Sequence, residues 1–304
     1  MAADSVPGTI QVKDPKNRAT IELPKTSVSH PIRATFVRRT FTRALYQAAC
    51  TRLLRPLFKR NGNIILVSSS LCIKATHWTR LAEASTMEFI RNNTDIPVPK
   101  VHCAFERKGR CYILMERLPG AHIAFCWAAR SEASKASLLE QLRTMIAQMR
   151  ELKQPTISKT EVSNVDGGPI MDIRLPRKSL WGPFKNVRDF QHELTDGLDL
   201  ENARGDCPSG VRELGRFHAQ QADTEAKFTH GDLSSFNIMV KGDQVTGIVD
   251  WETAGWLPWY WEYVSAWYVN PHNEFWQDHV DKFLSPDLEA QKMGEVRLRW
   301  FGDF

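Results

Sequence analysis

Between Phe228 and Glu252 the chain runs FTHGDLSSFNIMVKGDQVTGIVDWE, and the types and spacing of its polar residues suit metal and phosphate chemistry. Asn237 precedes one short β-prone run, Ile238 to Val240, and Asp250 follows another, Val245 to Val249, with Lys241-Gly242-Asp243-Gln244 as turn residues between them. A hairpin with Val240 opposite Val245 sets Asn237 opposite Ile248 and brings Asp250 within a residue or two of it. An amide and a carboxylate side by side at a hairpin mouth suit Mg²⁺, a hard cation that takes oxygen ligands and leaves room for substrate phosphates. Asp232 lies five residues before Asn237, in the loop that feeds the hairpin, where it could accept a proton from an attacking hydroxyl. A loop Asp as base, an Asn for one metal and a second Asp after a hairpin is the order of parts in phosphoryl-transfer sites, and His230 would support the loop rather than react. Any one of these residues taken singly is better explained as a turn residue beside an ordinary hairpin. Their order, tied to an apolar strand that ends in Asp, is what points to chemistry.

The elements that would hold these groups lie on both sides of a change in period. Ala34 to Leu54 repeats Phe36, Val37, Phe41, Leu45, Ala48, Ala49 and Leu53 at helical spacing with arginines between, a basic amphipathic helix expected to pack on the strands that follow; a membrane-surface role is the other reading. Asn63 to Ser68 and Leu71 to Ala75 are β-like, and Lys74 near the end of the second is followed by a helix, Thr79 to Asn92, carrying Glu83. A strand Lys paired with a helix Glu can position phosphates, although a lone strand-end Lys is more often a surface residue with its head in water. Val101 to Phe105 and Cys111 to Met115 complete a small β-rich lobe. Glu116-Arg117-Leu118-Pro119-Gly120 is a polar Pro-Gly joint.

Beyond the joint the period is helical. Leu138, Leu142, Met145, Met149 and Leu152 form one stripe, Val187, Phe190, Leu194 and Leu198 a second, and Val211, Leu214 and Phe217 a third. The stretch between the first two, Asn164 to Phe184, is long for a loop in a compact domain, which implies either a function or an unseen element. The domain expectation is a flexible extension over 1–33, an N-lobe over 34–116 and a C-lobe over 117–304.

With 304 residues, 42% hydrophobic and 25% charged, the chain has the composition of a globular protein. No apolar run approaches the roughly 20 residues of a membrane span, and the N-terminus lacks a hydrophobic signal core, so a cytoplasmic location is expected. Six cysteines without C-x-x-C spacing suggest neither zinc nor a disulfide framework. The net charge of +5 is unevenly spread, with no acidic residue between Glu22 and Glu83. That favours contact with polyanions or is simply a solvated basic face.

The sequence resembles the aminoglycoside phosphotransferase and choline kinase-like superfamily, in particular its fungal phosphotransferase family proteins. The resemblance rests on LCIKA, LAEASTMEFIRNNTDIPVPKV, CYILMERLPG, SNVDGGPIMDIRLP with WGPF, and above all FTHGDLSSFNIMV with GIVDWETAGWLPWYWEY. It implies an α+β, protein-kinase-like bilobal fold with ATP between the lobes. It implies further that Lys74 contacts the α- and β-phosphates, that Glu83 orients Lys74, that the Glu116, Arg117 and Leu118 backbone meets the adenine, that Asp232 is the base, and that Asn237 and Asp250 hold Mg²⁺. The chain departs from the family pattern in Phe58-Lys59-Arg60-Asn61-Gly62, a phosphate-covering loop with a single glycine, and in Ser234-Ser235, which stands in place of a Pro-Arg pair.

A protein kinase is disfavoured: Gly231 replaces the Arg that reads a phosphorylated activation loop, no APE-like motif follows, and the interval from Asp250 to Glu262 is too short to dock a peptide. The expectation is therefore a kinase for a small hydroxylated acceptor, with a nucleoside triphosphate as partner and no obligate nucleic acid. The alternative is a nucleotide-binding pseudokinase that acts as scaffold or sensor without turnover. Nucleic-acid binding through the basic region would show as steep salt dependence, but no such motif is present. The aromatic cluster Trp256, Trp259, Tyr260, Trp261, Tyr263, Trp267 and Tyr268 would suit a quaternary ammonium acceptor. Asp189, Glu193, Glu252 and Glu262 would suit a polyamine; core packing explains the aromatics equally well.

Overall fold

The computed structural model describes residues 10–13, 20–23, 29–155, 161–200, 207–268 and 274–302. Most of the expected extension lies outside them. Its described parts are a two-stranded antiparallel ladder, β1 (Ile10–Lys13) with β2 (Thr20–Leu23), and residues 29–33, where Ile32 bridges Ala104. Four-residue strands are too short to show a period in the sequence.

The five-stranded sheet of the first lobe has the order β3-β4-β5-β7-β6, formed by β3 (Arg60–Asn61), β4 (Ile64–Leu66), β5 (Leu71–Thr76), β6 (Val101–Arg107) and β7 (Arg110–Glu116). Helix α1 (Phe36–Cys50) and helix α2 (Leu81–Asn93) pack on it. The period expected of α1 survives, but only part of the expected face, Leu45 and Ala49, is turned to the sheet. Thr42 and Ala49, two turns apart, face the sheet with Leu45 and Tyr46 partly buried between them, whereas Phe36 and Val37 are 84% and 73% exposed. Short side chains let the helix approach the cluster of Ile73, Phe105 and Leu114 closely, and two anchors hold that orientation. Thr35 caps the helix, accepting from the Arg38 N–H at 3.4 Å, and Arg33 is tied to the Val101 carbonyl at 2.8 Å and to Glu88 at 2.8 Å.

The second lobe is mainly helical: α3 (Glu132–Arg150), α4 (Val187–Leu194), α5 (Ser209–Gln221), α6 (Trp261–Tyr268), α7 (Glu274–Phe283) and α8 (Leu288–Phe301). Leu138, Leu142 and Met149 are buried as their stripe implies; Leu198 lies beyond α4 and is exposed. The long stretch 164–184 holds an element the sequence conceals, a hairpin of two-residue strands, β9 (Ile170–Met171) and β10 (Leu180–Trp181). No helix of the described residues is long and apolar enough to cross a membrane.

A three-stranded sheet joins the lobes. Strands β12 (Ile238–Lys241) and β13 (Gln244–Ile248) form the expected hairpin, and β8 (Ala121–His122), just after the joint, pairs with β12. Gly120 allows this approach. Its φ is +102°, and a Cβ there would lie 2.2 Å from the Val240 carbonyl oxygen. Gly120→Ala is expected to cost about 2–4 kcal/mol, backbone strain and overpacking together, seen as a lower midpoint in urea unfolding.

Candidate active site

Val240 pairs with Val245 as expected, but a bulge between Met239 and Val240 shifts the rest of the ladder by one. Ile238, not Asn237, therefore opposes Ile248, and the Val249 N–H donates to the Asn237 carbonyl at 2.9 Å. An extra residue in one strand is what a hydrophobic pattern cannot reveal. The outcome sets Asn237 beside the residue that precedes Asp250. Asp250 itself has left-handed backbone, φ 66° and ψ 59°, and turns the chain from β13 into a 3₁₀ turn, Trp251–Thr253.

Lys74, on β5, is buried and meets three carboxylates: Glu83 of α2 at 3.0 Å, Asp250 at 2.6 Å and Glu252 at 3.1 Å. Burial alone would lower the pKa of its ammonium group; the carboxylates, Glu83 foremost, more than reverse this and hold it well above the ordinary value. Burial pushes the Glu83 carboxyl upward against the pull of Lys74, with Asp250 and Glu252 adding to the rise. For Asp250 burial acts upward too, but contact with Lys74 outweighs it and leaves the group below the ordinary carboxylate value. One ammonium ion thus serves three acids, and oxygen atoms of Glu83, Asp250 and Glu252 lie within 4.8 Å of one another. Such a cluster of hard oxygen donors fits a divalent cation.

The catalytic-type loop His230–Asn237 is held from three sides. Strand β11 (Ala226–Thr229) leads into it and pairs with β14 (Gly255–Pro258). Glu262, 2% exposed at the start of α6, accepts the backbone N–H groups of His230 and Gly231 at 2.5 and 3.0 Å. Glu262→Ala strands both donors in the core and should cost about 2–4 kcal/mol, measured as a drop in thermal midpoint that Glu262→Gln reduces. His230 is fully buried; its Nδ1 accepts the Asp232 N–H at 3.1 Å, so Nε2 carries the proton to the Val249 carbonyl at 3.1 Å. Burial drives its pKa down to about 4, which keeps the ring neutral.

Asp232 lies within this loop, two residues after His230. Burial pushes its carboxyl up to about 6, against the pull of the nearby Arg174. The Asn237 amide donates to the Asp232 carbonyl at 2.9 Å, which fixes the orientation of the side chain. Asn237, Asp250, Lys74 and Glu83 line one cleft of about 430 Å³, with Glu116, Arg117 and Leu118 also on its wall. At the joint, the Glu116 and Arg117 N–H groups bind the carbonyls of Lys100 and Ser70. The single-glycine loop is a tight hairpin turn at Gly62-Asn63 between β3 and β4; its Asn61 reaches His122 at 3.1 Å, and His122 in turn bonds the Phe236 carbonyl.

A family model described as "Phosphotransferase enzyme family" matches residues 75–299, well over half of the chain. The chain belongs to the phosphotransferase enzyme family. The fold agrees with solved members of that kind. A thermostable mutant of aminoglycoside phosphotransferase APH(4)-Ia, in its apo form, is similar at a TM-score of 0.54 and 14% identity over 78% of this chain and 81% of that one. Its ternary complex with ADP and hygromycin B gives 0.53 and 14% over 79% and 82%. Aminoglycoside phosphotransferase APH(3'')-Id from Streptomyces rimosus, in complex with ADP and streptomycin, gives 0.50 and 14% over 86% and 97%. No curated protein sequence matches the chain.

Within this phosphotransferase several expectations about the acceptor change. Trp256, Tyr260, Trp261 and Tyr263 are buried at 2–5% exposure and pack in the core; Trp259 is 39% exposed but bonded to Gln221. The Trp261 ring lies under the Arg297 guanidinium, whose carbon is 5.7 Å from the ring centroid. Of the acidic residues, Glu252 faces Lys74, Glu262 caps the loop, Glu193 pairs with Lys178, and Asp189 lies on α4 against a separate groove. Two residues escaped the sequence reading. Asp172 and Arg174, in the 164–184 stretch, reach the catalytic-type loop, with Arg174 Nη1 3.3 Å from Asp232 Oδ1 and Nη2 2.6 Å from the Gly231 carbonyl. The only signal available was the charged pair in IMDIRLP, inside a stretch too long to be a bare connection.

Proposed function

We propose that this phosphotransferase is an ATP- and Mg²⁺-dependent kinase that moves the γ-phosphoryl group to a hydroxyl of a small molecule. The observation that carries this reading is the convergence of Lys74, Glu83, Asn237 and Asp250 on one cleft, with Asp232 in the loop that Asn237 ends and bonded to it through its carbonyl. Asn237 and Asp250 would hold Mg²⁺, with Glu252 close enough to share it; when bound, the metal neutralises charge on the phosphate oxygens. The donor set fits, since Asn237 lines the same cleft as the carboxylates of Asp250 and Glu252. Lys74 would bind the α- and β-phosphates, positioned by Glu83. Asp232 takes the proton of the attacking hydroxyl, and His230, neutral and doubly bonded, keeps the loop in register.

A small acceptor suits the short path after Asp250. One 3₁₀ turn and β14 lead straight to α6, which leaves no activation segment on which a peptide could lie. The ADP-bound aminoglycoside phosphotransferases of the same fold support a nucleotide in the cleft between the lobes.

The test uses the purified protein with γ-labelled ATP and a panel of aminoglycosides, amino alcohols and sugars. A rise in melting temperature with Mg-ATP that EDTA removes, together with label transfer to a member of the panel, is the expected result. The absence of any nucleotide-dependent shift would overturn the reading. A shift without transfer or hydrolysis would demote the protein to a nucleotide-binding scaffold.

A further inference from the structure

The catalytic-type loop His230–Asn237 contains no Lys or Arg, although charge gathers here during phosphoryl transfer. The cation nearest Asp232 comes from outside the loop. Arg174 is delivered by the 164–184 stretch, which is fastened to the strand following the metal-type Asp. Ser163 bridges Trp256 of β14, and the Gly255 beside it lies so close that a Cβ would be 2.5 Å from the Ser163 carbonyl oxygen. Asn164 closes the turn internally: its Oδ1 accepts the Asp166 and Gly168 N–H groups, each at 2.9 Å, and its amide donates to the Pro169 carbonyl at 2.8 Å. The stretch is a rigid arm, not a slack connection.

At the end of this arm Asp172, 5% exposed, grips Arg174 with both oxygens, Nε to Oδ1 at 2.9 Å and Nη2 to Oδ2 at 2.8 Å. The fork of the guanidinium is thereby fixed in plane. Nη2 also donates to Gly231, inside the loop. Nη1 differs from the other two nitrogens. It is buried, lies 3.3 Å from Asp232 Oδ1, and makes no hydrogen bond. Nη1 is thus the one nitrogen of the fork that faces the carboxylate of Asp232 rather than Asp172 or Gly231.

We propose that Arg174, locked by Asp172, is the positioning residue for Asp232: it holds Oδ1 so that the other carboxylate oxygen faces the acceptor hydroxyl, and it supplies the positive charge that the loop lacks. This rests on the kinase reading above. In the transfer step the acceptor oxygen bonds to the γ-phosphorus, and the bond from that phosphorus to the bridging oxygen breaks, its electron pair leaving with ADP. The hydroxyl proton passes to the free oxygen of Asp232. Asp232 is then neutral, and Arg174, which until then faced two carboxylates, is left with Asp172 alone at the moment when charge spreads over the phosphoryl oxygens. Fixed charge aimed at that point stabilises the transition state without reorganisation.

The experiment needs no knowledge of the acceptor. Binding of Mg-ADP alone is compared with binding of Mg-ADP plus aluminium fluoride, which mimics the planar phosphoryl group in flight, for wild type, Arg174→Gln, Arg174→Lys and Asp172→Asn by calorimetry. Wild type should bind the fluoride complex more tightly than Mg-ADP. Arg174→Gln should lose about tenfold or more of that gain with Mg-ADP affinity kept within about twofold, and Asp172→Asn should fall between. Arg174→Lys should recover only part, because an ammonium ion cannot fill the fork. A loop that was merely loosened would change both affinities alike, and that result, or an unchanged gain in Arg174→Gln, overturns the assignment. Should Arg174→Gln not fold, Arg174→Lys and Asp172→Asn carry the same comparison. If wild type binds Mg-ADP but shows no gain, the role of Arg174 fails and nucleotide binding stands; if Mg-ADP does not bind at all, the kinase reading fails with it.

Discussion

Asp232→Asn is expected to lower turnover by about 10²–10⁴-fold, the usual worth of a general base, while the thermal shift with Mg-ATP stays within experimental error of wild type. The substitution preserves shape and removes only the ability to take up a proton. The pH profile gives a second check. Burial raises the Asp232 carboxyl to about 6, and the carboxylate is the working form. The kcat/KM of wild type should therefore fall as pH drops through about 6 and level off above it, while the residual rate of Asp232→Asn shows no such limb. A variant with wild-type turnover, or a profile that is flat down to pH 5, would remove Asp232 from the mechanism.

Lys74→Met should do more damage, and to stability as well as binding. It leaves Glu83, Asp250 and Glu252 together with no cation. Breaking the buried Lys74–Glu83 pair costs about 3–5 kcal/mol, while the more exposed Asp250 and Glu252 contribute less because solvent screens them. The sign of the pH dependence distinguishes this from an ordinary core defect. Glu83 is already pushed upward by burial, and without Lys74 nothing opposes that shift. The folded variant then takes up protons that the unfolded chain does not, so its stability rises as pH falls. The gap in thermal midpoint between variant and wild type should narrow from about pH 8 to about pH 5. A gap independent of pH would mean that the cluster does not carry the charge conflict described. Binding of Mg-ATP should be lost at every pH.

How much of this was legible depends on how local each feature is. The hairpin Ile238–Ile248 can be found from sequence because its turn residues and apolar runs are contiguous, and Lys74 and Glu83 because a short strand and a helix follow one another closely. The α1 face could only in part: the apolar stripe includes Leu45 and Ala49, which face the sheet, but also Phe36, Val37 and Phe41, which stay exposed, and it omits the buried Thr42. The tryptophans after Asp250 are open to two readings in sequence, and only burial decides that they are core. Glu252 shows the same limit in the opposite direction. As one acidic residue among several it could face any acceptor, and only the left-handed turn at Asp250 aims it at Lys74.

By itself, the sequence determined the kind of chemistry and the order of its parts, since residue types and spacings within one loop and hairpin are set by the chain. Tertiary structure decided what those parts meet. A bulge sets the partner of Asn237, the packing of α2 brings Glu83 to Lys74, and a distant arm carries Arg174 and Asp172 to Asp232, 58 residues after Arg174 along the chain. Contacts of that separation depend on how two independently patterned segments dock, and no period within either segment encodes the docking.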